Sequence, residues 1–241
     1  MKHLIVGLWT VVLIGSGLSA QSPSMKPTPY QPRPTDTFQQ QLRQSRGALF
    51  DDLFGGNGTS AAAKPLETND PRAPAPVTIS SVRPVGELPS AFSDAIIVGR
   101  LKAIQAYQSN DHTAIYTENT IEVEQIPSQQ GNHAVVGGKI EVVQVGGSIE
   151  LAGGRVISHR SEGLGEPFRQ GERYAFFLTY VPSADCYRLT KAWWLNAGKA
   201  QAISTEDLAL VANRASQYQG ISESTFIGTL NTLQASYKGG K

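Results

Sequence analysis

Between Ser93 and Ala202 apolar residues recur at every second position, and this regularity restricts the chain more than any other feature of it. In SDAIIVGRLKAIQAY, Ile97, Gly99, Leu101 and Ala103 fall on one side, and Arg100 and Lys102 on the other. In TAIYTENTIEVEQI, Ile121 and Val123 oppose Glu118, Glu122 and Glu124. GKIEVVQV places Ile140 and Val142 inward and Glu141 outward. GGSIELAGGRVIS reads as two short strands around Gly153-Gly154. ERYAFFLTYV and DCYRLTKAWWLN read as two long strands joined at Pro182 to Asp185, with Tyr174, Phe176 and Leu178 on one face and Phe177 and Thr179 between them. GKAQAI adds a short strand. Period two belongs to half-buried strands. No helix of ordinary length fits between these limits, and many short strands with intervening turns predict a barrel or a sandwich.

The flanks have a different character. The first twenty residues, MKHLIVGLWTVVLIGSGLSA, carry a lysine, an eleven-residue apolar run from Leu4 to Ile14 and then small residues. That is the plan of a secretory signal peptide, and the run is shorter than the ~20 residues needed to span a bilayer. The expectation is therefore an exported chain, periplasmic or extracellular, with no membrane span after cleavage. Eleven of the fourteen prolines lie at or before Pro89. Residues 21–89 are expected to be extended and mostly disordered. Within them, Phe38, Leu42, Leu49, Leu53 and Phe54 mark a short helix at 36–54 that docks on something. Gly55 to Pro76 reads as linker, and its Asn57-Gly58-Thr59 matches a glycosylation sequon. Residues 90–241 form the β domain, with a helical tail from about 204. Ser204-Thr205-Glu206-Asp207 resembles a capping box. Phe226, Leu230, Leu233 and Tyr237 make one stripe that packs on the sheet.

Charge argues against some partners. The chain has 21 Lys and Arg against 20 Asp and Glu, and residues 1–20 contain one lysine and no acid, so the mature chain is formally neutral. Without a basic run, neither nucleic acid nor an anionic membrane is favoured. Cys186 is the only cysteine, so no internal disulfide forms and stability comes from an apolar core.

Three stretches carry a resemblance: SDAIIVGRL, IEVEQI and FRQGERYAFFL. Over roughly Pro89 to Tyr237 they resemble a group of uncharacterised exported bacterial proteins, in which a similar strand opens the domain and a tail like Tyr218 to Ile227 closes it. More distantly, over Ser93 to about Ala202, the chain resembles the netrin-like, tissue-inhibitor-of-metalloproteinase type of OB-fold. The resemblance implies a mainly β fold, a small OB-like antiparallel barrel of five to six strands with the C-terminal helix packed on it. Those inhibitors act through an N-terminal cysteine, and this chain has none there, so the activity transfers to no residue.

The candidate chemistry is sparse. A nucleophilic cysteine needs a lowered pKa, and Cys186 opens a strand after a turn, where a small buried residue is expected. Glu122 and Glu124 share a strand face and could serve as a carboxylate pair. The first strand, however, sets Arg100 and Lys102 opposite them as cross-strand ion pairs. His112, His133 and His159 show no ligand spacing, and no Gly-x-Ser-x-Gly elbow occurs in the mature chain. No catalytic residue, metal or cofactor is expected. Trp193 and Trp194 are adjacent, so they point to opposite faces. The barrel and the helix can cover one each, and a ring left exposed would anchor a partner or glycan. The polar loop Ser158 to Arg173 carries Arg160, Arg169 and Arg173 among three glutamates, and long loops on β frames often bind ligands. Trp193, Trp194, Arg160 and Arg169 are accordingly the expected binding residues. The expected function is a non-catalytic module for a protein or envelope component. The alternatives are an exported hydrolase and an inhibitor-like module.

Overall fold

Strand β2 (Ala95–Gln108) pairs antiparallel with β3 (Ile115–Gln129) along nearly its whole length, and with β7 (Arg173–Val181) on its other edge. β3 continues to β4 (Lys139–Val145), and β7 to β8 (Cys186–Asn196). One short parallel contact, Val142 with Tyr187 and Val143 with Arg188, joins β4 to β8 and closes the ring β2-β3-β4-β8-β7. The result is a five-stranded OB-like barrel, antiparallel except at its closure. β8 shares its outer edge, with β4 at its start and β9 (Lys199–Ala202) at its end. The computed structural model describes residues 27–29, 34–51, 87–151, 154–159, 168–203 and 217–234. The expected signal peptide at 1–20, the Asn57 sequon, the Ser204–Asp207 sequence, Tyr237 and Arg160 lie outside the described residues.

The alternation read from the sequence sorts the core. Ala95, Ile97, Leu101, Ile121, Val123, Ile140, Val142, Tyr174, Phe176 and Leu178 fill the barrel. The opposite face of β2, β7 and β8 is also apolar: Ile96, Val98, Ala175, Phe177 and Trp193 pack beneath α2 (Glu223–Leu230) through Phe226 and Leu230. Ser222 caps that helix by accepting from the amide of Thr225 at 3.2 Å. β2 departs from strict alternation. A register shift between Leu101 and Ala103 leaves Ala103 exposed and brings Ile104 to the core instead. Such bulges bend strands at barrel corners. Gly99 sits at another shift, where a Cβ would meet the carbonyl oxygen of Glu122 at 2.6 Å, so the strands approach more closely than a side chain allows.

The flank contributes two further elements. Thr28–Pro29 forms a short strand, β1, paired parallel with β5 (Gly147–Glu150), which itself pairs with β6 (Val156–His159) as the Gly153-Gly154 hairpin predicts. Thr28 ties β1 down, its hydroxyl donating to the Ser148 carbonyl at 3.1 Å and accepting from the Ala106 amide at 3.1 Å. A proline-containing segment is already extended, and this suits it to an edge. Helix α1 (Thr37–Ala48) is capped by Asp36, which accepts from the Gln39 amide at 2.9 Å. Of the expected stripe, Leu49 packs against the cluster that holds Phe50, and Leu53 and Phe54 lie outside the described residues. Phe38 is 59 % exposed, while Arg46, Gly47 and Phe50 are buried. The helix ends at Ala48, so Phe50 leaves the helical phase and turns into the barrel wall.

Candidate functional site

The last turn of α1 meets the outer face of β3 and β4 and the two loops beside it. Tyr116, Glu118 and Thr120 project outward on β3 by strand alternation. Exposed on a bare barrel, Glu118 is instead covered by α1. Arg46 Nη1 lies 2.9 Å from Glu118 Oε2, with both side chains only 10 % exposed. Arg46 also donates to the carbonyls of Ala184 at 3.3 Å and Asp185 at 3.4 Å, in the β7–β8 loop. Phe50 stacks on Tyr116 with ring centroids 4.9 Å apart and planes 8° from parallel. On the other flank the β2–β3 loop grips the helix end. Asn110 donates to the Gln44 carbonyl at 2.8 Å, and the Asp111 amide donates to Asp51 at 3.1 Å.

Above this contact lies an open groove of about 620 Å³. Gln40, Arg43 and Gln44 of α1 form one bank, and Tyr107, Asn110 and His112 from the end of β2 and its loop form the other. Arg43 lies over the Tyr107 ring, 4.0 Å from its centroid, and donates to its hydroxyl at 2.9 Å. Among the described residues its lining includes an arginine and a histidine and no carboxylate. The remaining polar lining is chiefly amide side chains, which donate and accept without charge.

The residues expected from the sequence fall elsewhere and apart. Trp193 is fully buried. It packs against Phe226 at 5.2 Å and donates from Nε1 to the Glu87 carbonyl at 3.1 Å, so it is core and not a surface anchor. Its neighbour in sequence, Trp194, faces the barrel side and is half-buried, packed against the interior cluster. Arg169 is exposed and its guanidinium covers the Trp194 ring at 4.7 Å, and Trp194 Nε1 reaches Glu172 at 3.4 Å. Of the four expected residues, the structure brings together Trp194 and Arg169, as a ring already capped by a cation.

The other candidates have settled environments. Lys102 pairs with Glu122 at 3.0 Å, and Glu124 meets Arg100 at 3.3 Å and Arg173 at 2.7 Å. Arg173 also pairs with Glu223, which ties α2 to the barrel. A hydrogen bond from Lys102 and its charge hold the Glu122 carboxyl below its ordinary value. Cys186 is buried beside Phe50 and Tyr116, and burial pushes its thiol up to about 11, far from a reactive value. His112 lies in the groove, His133 stacks on Tyr180 at 3.7 Å, and His159 is buried on β6. Among the described residues no three metal-binding side chains converge.

Sequence reasoning missed Arg43, Tyr107 and the Arg46–Glu118 pair, and weighed His112 only as a metal ligand. A trace of them is present in QQQLRQSRGALF, where the arginines stand three apart on one helical side ahead of Phe50. That Arg46 meets Glu118 and Arg43 meets Tyr107 depends on contacts more than sixty residues away along the chain. No protein-family model and no curated protein matches the chain.

Proposed function

We propose that the chain is an exported, non-catalytic interaction module that binds a protein or envelope component at the end of the barrel carrying the β2–β3 and β7–β8 loops. The observation that supports this reading best is the groove between α1 and Tyr107. It is of ligand-pocket size, it is lined by hydrogen-bonding side chains, and one of its banks stands on the end of β2. OB-type barrels commonly use the loop between their first two strands in ligand binding, and the β2–β3 loop lines one bank of this groove. The Trp194–Arg169 ledge is less suited, because its ring face is already occupied.

The test is a cross-linked pull-down from the envelope and medium of the source organism. It uses residues 21–241 as wild type, as Arg43→Ala with Tyr107→Ala, and as Trp194→Ala with Arg169→Ala. The reading expects a partner captured by the wild type and the ledge variant and lost from the groove variant. Capture that survives the groove substitutions and fails with the ledge substitutions would move the site to Trp194. No capture by any bait would contradict the binding reading and direct attention to hydrolase substrates.

A further inference from the structure

The groove's charge narrows what it takes. Arg43 is held in place, its guanidinium 4.0 Å over the Tyr107 ring and its Nη2 donating to the Tyr107 hydroxyl at 2.9 Å. A guanidinium carries five N–H donors and no acceptor, in a fork that matches a carboxylate. On the opposite bank, the His112 amide donates to the Ser109 carbonyl at 3.1 Å, and its Nδ1 lies 3.3 Å from Gln108 Oε1. The neighbouring acids are turned to other partners. Asp51 accepts from the Asn110 side chain at 3.3 Å and from the Asp111 amide at 3.1 Å. Asp111 accepts from the hydroxyls of Ser109 at 2.6 Å and Thr113 at 2.8 Å. Glu118, beneath the helix, is paired with Arg46. A chain with 20 acids against 21 bases thus keeps its carboxylates out of the described lining.

The same lining separates one kind of anion from others. It has one guanidinium and one imidazole, with no lysine or second arginine among the described residues, and this suits a single carboxylate better than a doubly charged phosphate. The Tyr107 ring has Arg43 over one face and Tyr116 against it at 5.7 Å, so it offers a sugar little open platform. The amide side chains of Gln44 and Gln108 both donate and accept, as the N–H and C=O groups of a peptide backbone require.

We infer that the groove takes an acidic peptide segment of a partner protein, with a glutamate or aspartate carboxylate on Arg43 and the peptide backbone on the amide side chains. This rests on the reading of the groove as the binding site and names the chemistry of its ligand.

The experiment is fluorescence anisotropy on residues 21–241. The probe is a labelled peptide of alternating glutamate and glycine. The same peptide with glutamine or lysine in place of glutamate, and an oligouronate of similar charge, are its comparisons. The wild type should bind the glutamate peptide about tenfold or more tighter than the glutamine peptide, the effect of one charge-assisted bidentate contact. Raising salt from ~50 to ~500 mM should weaken it several-fold. Arg43→Gln should bind the glutamate and glutamine peptides alike, and Arg43→Glu should take the lysine peptide instead. Protection of Cys186 from a thiol reagent, unchanged in Arg43→Gln, checks that α1 stays docked. The wild-type comparison stands without the variants. Equal binding of the glutamate and glutamine peptides to the wild type would overturn the inference, as would no binding of the glutamate peptide at ~1 mM. In either case a partner lost from the groove variant in the pull-down would still uphold the groove itself. Tighter binding of the oligouronate would assign a carboxylated glycan and overturn the peptide assignment.

Discussion

Replacing Arg46 by alanine removes the cation that allows Glu118 to be buried. The two side chains are 2.9 Å apart and equally sequestered, and Arg46 gives two further hydrogen bonds to loop carbonyls. Breaking a buried pair from one side costs about 3–5 kcal/mol when the surviving charge stays buried. Here it need not stay buried. Undocking of α1 hydrates Glu118, so the loss is capped by the free energy that docks the helix. Phe50 is the main apolar contributor to that docking, worth about 1.5–3 kcal/mol. A loss of about 3 kcal/mol is therefore expected, as local opening of α1 and not as unfolding of the barrel. Converted at ~1.4 kcal/mol per decade, the open population rises roughly 100-fold.

Cys186 reports this opening, because it is buried in the cluster that Phe50 closes and is the only thiol in the chain. The assay is labelling by a small thiol reagent at about pH 8, in the range where rate follows reagent concentration. Arg46→Ala should label about 100-fold faster than wild type, with the urea midpoint of the barrel little changed. Arg46→Met with Glu118→Leu should recover most of the protection, since no charge is then left to hydrate. Labelling of Arg46→Ala within about threefold of wild type would refute the reasoning. A double variant as open as the single would refute it equally.

Three further outcomes follow from the geometry. Ala197 has φ of 50° and Gly198 of 71°, the paired positive values of a type I′ hairpin turn between β8 and β9, so Ala197→Asn should stabilise by about 0.5–1 kcal/mol and raise Tm by about 1–4 °C in a thermal scan. Trp193→Ala should cost about 3–5 kcal/mol in urea unfolding and Trp194→Ala clearly less, because only the first ring is fully enclosed. Burial lowers the pKa of His159 below its ordinary value, so the unfolded chain binds more protons there as pH falls. Stability should therefore decline as pH drops through about 6.5 toward the lower folded value, and His159→Leu should flatten that slope.

The barrel was legible in the sequence because its strands obey one local rule. Ile97, Leu101, Ile121, Val123, Tyr174 and Phe176 alternate with charged or second-core residues, and that alternation sorts the two faces of each strand, while the closure of the ring at Val142 and Tyr187 is a long-range pairing that alternation leaves open. The ion pairs of Arg100 and Lys102 with Glu124 and Glu122 were legible for the same reason. Ala103 was misplaced because a bulge shifts phase without any mark in composition. The candidate site was poorly legible. Trp193 and Trp194 promised a surface, but α2 covers one ring and Arg169 the other. Arg46 and Glu118 each look like ordinary solvated charges, and only a long-range contact turns them into a buried pair. Polar helices give little sign of what they dock on when a single turn makes the contact.

The most direct test of the account places a photo-reactive residue at Gln44, on the bank of the groove, and in a second protein at Lys199, exposed at the start of β9. Both are irradiated with envelope extract from the source organism. The account predicts a discrete cross-linked partner from Gln44, none from Lys199, and loss of the Gln44 adduct when Tyr107 is replaced by alanine. A partner cross-linked from Lys199 and not from Gln44, or an adduct indifferent to Tyr107, would contradict it.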